Sequence, residues 1–105
     1  MDTQHFEVNV SEIAGEVVIE LVGWMDVMTS AKFRAVMMKQ IQGMTGDVVL
    51  DCGRLDYIDS SSMGILLLWR EKLQPSQRAI IIANSRGPVL DAFKLVGFPR
   101  LFKFR

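Results

Sequence analysis

The stretch that decides the fold is Val48-Val49-Leu50-Asp51-Cys52-Gly53-Arg54-Leu55-Asp56-Tyr57-Ile58-Asp59-Ser60-Ser61-Ser62-Met63-Gly64. It begins as an apolar run, becomes polar, and ends in an acid followed by three consecutive hydroxyls. A segment typical of a helix, 65–73, comes directly after it. Ser and Asp are preferred at helix N-termini, because a side-chain oxygen there accepts a hydrogen bond from an otherwise unpaired backbone N–H. We therefore predict a short buried strand over 48–50, a polar turn, and a helix that begins at Ser60.

The polar corner 59–62 has two interpretations. Asp59 or Ser60 alone is typical of an ordinary helix cap, which is a common feature of helices. A cap requires one polar residue, however, and four stand here in a row, with the small Gly64 close behind. That excess indicates a corner that is presented to another molecule, and both interpretations are kept at this point.

The remaining pattern predicts an α/β fold. Alternating residues predict a half-buried strand over 6–10, and nearly continuous β-branched residues predict an interior strand over 17–22, with a hairpin turn at 14–16 between them. A loop is expected over 23–28, and Gly43 is expected to end the first helix in the left-handed conformation. The other elements are expected to be helices over 31–42, 60–74 and 89–95, and strands over 79–83 and 101–104.

The order of these elements is β-β-α-β-α-β-α-β. Strands that alternate with helices imply parallel pairing through crossovers, with the opening hairpin as an antiparallel addition. We expect a mixed, mostly parallel sheet of about five strands in a single domain over 1–105.

Composition excludes several classes of protein. Half of the 105 residues are hydrophobic, and 12 basic side chains balance 12 acidic ones, which argues against a dedicated nucleic-acid binder. Cys52 is the only cysteine, so no intramolecular disulfide can form and a cytoplasmic location is expected. The sequence has neither a signal-peptide pattern nor an apolar run approaching the ~20 residues of a membrane span, so no membrane insertion is expected.

The sequence offers little for catalysis. The only histidine is His5, near the N-terminus, whereas a Ser-His-Asp triad requires a positioned histidine. No Cys/His cluster is present to hold zinc, and no Gly-x-x-x-x-Gly-Lys loop is present to bind phosphates. We therefore expect a protein without catalytic residues, metal or cofactor.

The second helix is unusually apolar in its middle, over 65–69. Five consecutive residues cannot share one helix face. Met63, Leu66 and Leu67 are expected to form one stripe, and Ile65, Leu68 and Trp69 to project on other sides. Either another helix covers this group, or part of it is exposed and binds a partner.

Three motifs resemble a known family. The sequence Asp59-Ser60-Ser61-Ser62-Met63-Gly64 resembles the Asp-Ser-Ser-Gly-Leu-Gly signature of STAS domains, specifically those of anti-sigma factor antagonists. The sequence Gly23-Trp24-Met25-Asp26 resembles the family's Gly-x-Leu-Asp, and 84–85 with 90–98 resemble its third helix and the approach to its last strand. The match runs from about Phe6 to Phe104. Two departures stand out: Ser62 replaces a usual glycine, and the chain stops at Arg105, so the final family helix is expected to be short or absent.

This resemblance implies the STAS fold and a phosphorylation-switched binding protein. By analogy, the unmodified chain binds an anti-sigma factor that is a serine kinase and frees its sigma factor. The kinase then phosphorylates the second serine of the signature, Ser61, with Ser60 and Ser62 as alternatives, and a serine phosphatase restores the free form. The protein is expected to be monomeric when free. The alternative is a structural STAS subunit of a larger assembly, transporter-associated or stressosome-like, that does not switch.

The carboxyl ends of parallel strands gather at one edge of a sheet, which is where binding residues are expected. The predicted partner surface combines this edge with the exposed part of the second helix. It comprises Asp26, Asp59, Ser60, Ser61, Ser62, Met63, Leu68, Trp69, Asn84 and Ser85.

Overall fold

The described part of the chain forms five strands and three helices, in the predicted order. The computed structural model describes residues 5–43 and 45–105. The strands are β1 (Phe6–Ile13), β2 (Glu16–Met25), β3 (Val48–Ile58), β4 (Ile80–Ala83) and β5 (Lys103–Phe104), and the helices are α1 (Ser30–Gly43), α2 (Ser60–Leu73) and α3 (Gly87–Leu95). Short 3₁₀ turns at Gln74–Ser76 and Phe98–Arg100 follow the second and third helices.

The sheet has the strand order β1-β2-β3-β4-β5. Strands β1 and β2 are antiparallel, whereas each later pair is parallel. The hairpin turn is made by Ala14 and Gly15, whose φ angles of 51° and 82° are both positive, as the tight turns that match strand twist require. The predicted mixed sheet and α/β class are confirmed.

The three helices pack on one face of the sheet. The main hydrophobic core joins the inward residues of the strands to buried residues of every helix, such as Phe33, Leu66 and Phe93. The opposite face carries a smaller buried cluster made of strand residues alone, Val49, Ile81 and Ala83. The bidentate ion pair between Arg105 and Glu16, with N–O distances of 3.1 and 3.0 Å, joins the residue after β5 to the first residue of β2, and the Arg105 hydrogen bonds lower the pKa of Glu16.

Strand β3 is much longer than predicted. It was expected to end at Leu50, but it continues for eight more residues to Ile58 and pairs with the extended end of β2. Its inward residues there, Cys52, Leu55 and Ile58, are three residues apart, because irregularities in the β2–β3 register interrupt the alternation of two. A bulged strand with this spacing looks like a polar turn in the sequence.

Other boundaries differ by a few residues. Strand β2 includes 23–25, which were expected to lie in a loop, and Gly23 is needed there because a Cβ would lie 2.0 Å from the His5 carbonyl oxygen. Gly43 lies inside α1 and does not take the left-handed conformation. Helix α3 begins two residues earlier than predicted, since Pro88 occupies its first turn.

Candidate partner-binding site

Asp59 joins the start of α2 to the loop that precedes α1. Its Oδ1 accepts a hydrogen bond of 2.8 Å from the backbone N–H of Ser62, which makes it the N-cap of the helix. Its Oδ2 accepts a bond of 3.1 Å from the backbone N–H of Val27. The cap interpretation of Asp59 is therefore correct, and the same carboxylate also fixes a neighbouring loop.

Asp26 organises that loop. Its Oδ1 accepts hydrogen bonds from the backbone N–H groups of Met28 and Thr29, at 2.9 and 3.0 Å. Its backbone carbonyl accepts from the N–H of Ser30, the first residue of α1, at 2.8 Å. The two predicted acids therefore lie at neighbouring strand ends, and both carboxylates hold backbone in place.

The three serines of the signature have different environments. Ser60 and Ser61 are exposed in the first turn of α2, whereas Ser62 is fully buried. Among the described residues, the backbone N–H groups of Ser60 and Ser61 have no protein acceptor, as is usual for the first turn of a helix. The corner thus presents two accessible hydroxyls beside unpaired donors.

The Ser62 hydroxyl differs from its two neighbours because it is buried. Its Oγ is buried and has no hydrogen-bond partner within the described parts of the chain. A buried polar group without a partner costs about 1–3 kcal/mol. Because a kinase requires an accessible hydroxyl, this burial contradicts the alternative that Ser62 is the phosphoacceptor.

We expect Ser62→Ala to stabilise the protein by about 1 kcal/mol or more, because it removes the unpaired hydroxyl and alanine has the best helix propensity. The measurement is the midpoint of urea unfolding followed by far-UV circular dichroism. Ser61→Ala, one residue earlier and exposed, is the matched control and should leave the midpoint nearly unchanged. If the urea midpoint of Ser62→Ala is at or below that of the parent protein, the Ser62 hydroxyl has a hydrogen-bond partner.

Helix α2 turns a regular set of side chains inward. The buried residues are Ser62, Met63, Leu66, Trp69 and Leu73. Trp69 is only 3% exposed and Met63 8%, whereas Leu68 is 47% exposed. The prediction that Ser62, Met63 and Trp69 contact a partner directly is therefore wrong, because helical spacing directs them to the core, and Leu68 keeps the exposure that this prediction requires.

The structure does not bring Asn84 and Ser85 to the serine corner. The Asn84 amide donates to Asp51 Oδ1 at 3.1 Å, and Asp51 precedes Asp59 by eight residues along the bulged strand β3. Strand β4 ends at Ala83 while β3 continues to Ile58, so neighbouring strands end at different heights. The loop that contains Asn84 and Ser85 therefore lies beside the extended part of β3, at the same edge of the sheet as the serine corner but at a different height, and a surface shared with Ser61 stays a prediction.

Sequence reasoning missed the most exposed apolar residues of the corner. Val27 is 64% exposed and Met28 82%, in the loop that Asp26 and Asp59 hold. The Thr29 hydroxyl in this loop accepts from the Asp26 N–H and donates to the Trp24 carbonyl, each at 2.9 Å. The Asp-x-x-Thr spacing was the available signal, because both side chains favour local bonds to backbone.

The described residues contain little that suggests catalysis. No group of three or more His, Cys, Asp or Glu side chains within 5–43 and 45–105 is placed to hold a metal ion. Burial, followed by the Asp51 charge, raises the pKa of the Cys52 thiol to about 12, so it stays protonated and unreactive near neutral pH. None of the described helices is both long and apolar enough to span a membrane.

Comparison with known proteins supplies the family. Residues 7–105 match the STAS domain, so the chain belongs to the STAS domain family. Over 96 residues it is 27% identical to a Bordetella bronchiseptica protein named anti-sigma factor antagonist BtrV, a match that covers 91% of this chain and 83% of that protein.

Two solved structures have similar folds. The anti-sigma factor antagonist SpoIIAA in its unphosphorylated form superposes with a TM-score of 0.78 at 22% identity, covering 94% of this chain and 88% of that one. The phosphorylated form of SpoIIAA, a Bacillus cell fate determinant, gives a TM-score of 0.70 at 23% identity, covering 96% and 91%. At these identities the likeness establishes the STAS fold, as the resemblance of the motifs predicted.

Proposed function

We propose that the protein is an anti-sigma factor antagonist that is switched by phosphorylation at Ser61. Its unmodified form binds a serine-kinase anti-sigma factor and thereby frees the sigma factor. The kinase phosphorylates Ser61, the complex dissociates, and a serine phosphatase restores the binding form. The observation that carries this proposal is an exposed Ser61 in the first turn of a capped helix, inside the family's signature.

The geometry of the corner suits a phosphate. The group adds a charge of about −1.5 to −2 at pH 7. It would stand beside the unpaired N–H groups of Ser60 and Ser61, at the positive end of the dipole of a 14-residue helix. The isolated protein therefore tolerates the modification without a change of fold.

The same charge is unfavourable at an interface. Asp59 is two residues from Ser61, and its carboxylate is hydrogen-bonded to the loop that contains Asp26. Three negative groups pressed against one partner surface lose water that would otherwise screen their repulsion. Phosphorylation can therefore abolish binding while the fold persists.

The relatives support this proposal. BtrV is named as an anti-sigma factor antagonist, and the fold matches SpoIIAA in both its unphosphorylated and its phosphorylated form. A fold that accommodates both forms of SpoIIAA is compatible with the switch that we propose for this chain.

The test is to identify the phosphorylated residue. We expect incubation with the cognate kinase and ATP to place one phosphate on Ser61, because this hydroxyl is exposed and aligns with the second serine of the family's signature. Tandem mass spectrometry locates the phosphate. Ser60→Ala, the neighbouring exposed position, is the matched control and should still be phosphorylated.

Two results would contradict this assignment. Phosphate on Ser60 in the parent protein would assign the phosphorylation site to Ser60 and not to Ser61. A chain that binds the kinase stably but is never phosphorylated would favour the alternative, a structural STAS subunit of a larger assembly.

A further inference from the structure

A groove runs between α1 and α2. It has two adjoining cavities of about 250 and 300 Å³, which share Met38, Trp69 and Lys72 in their lining. Its lining residues are Ala31, Arg34, Ala35, Met38 and Gln42 from α1, and Leu68, Trp69 and Lys72 from α2. From Ala31 to Gln42 it is about 16 Å long, the length of three helical turns.

The groove combines an apolar floor with a basic rim. Met38 is 54% exposed and Leu68 47%, and the two alanines leave room between them. Arg34 and Lys72 are exposed and are the charged residues of the lining. The Lys72 Nζ lies 5.3 Å from the centre of the Trp69 ring, which holds this cation at the groove.

The basic rim is part of a wider separation of charge. Helices α1 and α2 contain five basic residues and one acidic residue, Glu71. The strands contain six acidic residues and two basic ones, although the whole chain has no net charge. The two helices therefore carry an excess of positive charge and the strands an excess of negative charge, which Arg86 and Arg105 partly offset through their ion pairs with Asp56 and Glu16.

The rim cations are not neutralised by the part of the chain that the structure describes. The four ion pairs found there involve His5, Arg54, Arg86 and Arg105. Neither Arg34 nor Lys72 lies within ion-pair distance of a described carboxylate. An apolar groove flanked by two such cations is complementary to an acidic segment that carries apolar anchor residues.

We propose that this groove binds an acidic amphipathic helix of a protein partner. Its lining includes none of residues 59–62 of the serine corner, although it shares Leu68 and Trp69 with the partner surface predicted from the sequence. The apolar side chains of that helix fill the space over Ala31, Ala35 and Leu68, and its carboxylates pair with Arg34 and Lys72. This is the helix-in-groove mode of recognition, in which anchors recur every three to four residues. The proposal does not depend on phosphorylation of Ser61.

The shape of the groove favours a protein segment over other polyanions. A lipid surface is best met by protruding apolar side chains, whereas these cavities are concave. Single-stranded nucleic acid requires exposed aromatic faces for stacking, and the aromatic ring in this lining, Trp69, is 3% exposed. Concave apolar space flanked by cations fits side-chain anchors and carboxylates.

The test uses a synthetic helical peptide of about four turns, with leucines along one face, glutamates beside them and alanines elsewhere. It is titrated into the ¹⁵N-labelled full chain, and amide chemical shifts are followed by NMR. We expect shifts confined to the two helices that line the groove, with affinity falling as salt screens the charges. A peptide with lysine in place of each glutamate is the control and should not bind.

Charge reversal tests the contacts. Arg34→Glu combined with Lys72→Glu should raise the dissociation constant of the acidic peptide by at least about tenfold, because attraction between the charges becomes repulsion. Lys94→Glu combined with Lys103→Glu is the matched control, since both residues are exposed and neither lines the groove. Ala35→Trp fills the cavity and should also reduce binding, and a dispersed spectrum of each variant shows that it is folded.

Three results would overturn the proposal. The first is the absence of shifts in the groove at saturating peptide, and the second is equal binding of the lysine peptide. The third is a response of the same amides to anionic phosphatidylglycerol vesicles or to a single-stranded oligonucleotide but not to the acidic peptide.

Discussion

Trp69→Ala is expected to lower the free energy of unfolding by about 3 kcal/mol. Removing a buried tryptophan usually costs about 3–5 kcal/mol, because apolar burial is lost and a cavity remains. The lower value is expected here because the indole Nε1 has no acceptor among the described residues, so an unfavourable buried group is removed as well. Total stabilities are about 5–15 kcal/mol, so this loss is readily measured by urea unfolding.

Leu68→Ala is the matched control for this substitution. The two residues are adjacent in α2, but Leu68 is 47% exposed whereas Trp69 is 3% exposed. We expect Leu68→Ala to change the free energy of unfolding by less than about 1 kcal/mol, since surface substitutions have small effects. Equal losses for the two variants, or an unchanged midpoint for Trp69→Ala, would contradict the placement of Trp69 in the core.

Phosphorylation of Ser61 is expected to weaken binding to the kinase by at least about a hundredfold, equivalent to about 2.7 kcal/mol. The reason is that the phosphate would add its charge to those of Asp26 and Asp59 within the proposed interface, from which water is excluded. The melting temperature of the isolated phosphoprotein should change little, because the phosphate lies at an exposed helix N-terminus. Isothermal titration calorimetry and thermal melts on one preparation measure both quantities.

Ser61→Ala and Ser61→Asp provide the controls for the electrostatic argument. The alanine variant should bind like the parent, because it adds no charge. The aspartate variant should bind less tightly than the parent but better than the phosphoprotein, since its charge is about half as large. If the phosphoprotein binds as tightly as the unmodified chain, the proposed switch is contradicted. If the melting temperature of the phosphoprotein falls sharply, loss of binding is explained by unfolding and not by charge repulsion.

Much of the fold is predictable because its signals are local. The alternation at 6–10, the turn at Ala14-Gly15 and the polar corner before α2 each determine their own geometry, so the order of the elements follows from them. The prediction of a cap at Asp59 is confirmed for the same reason, because a cap depends on residues within one helical turn.

The missed features depend on distant parts of the chain. Residues 51–58 became a strand because the end of β2 lies beside them, with a register that their own pattern does not reveal. Burial of Ser62 and Trp69 depends on which side of α2 meets the sheet and α1. The position of Asn84 follows from the different lengths of β3 and β4, which no local motif encodes.

Helices α1 and α2 carry four more basic than acidic residues and the strands four more acidic than basic ones, so a chain of zero formal net charge still has an uneven distribution of charge. Long-range electrostatic forces therefore orient the two molecules before they touch. An acidic partner is directed toward α1 and α2. Such steering acts on the rate of encounter and leaves the lifetime of the finished complex nearly unchanged. Added salt should accordingly slow the association of an acidic partner far more than it speeds its release.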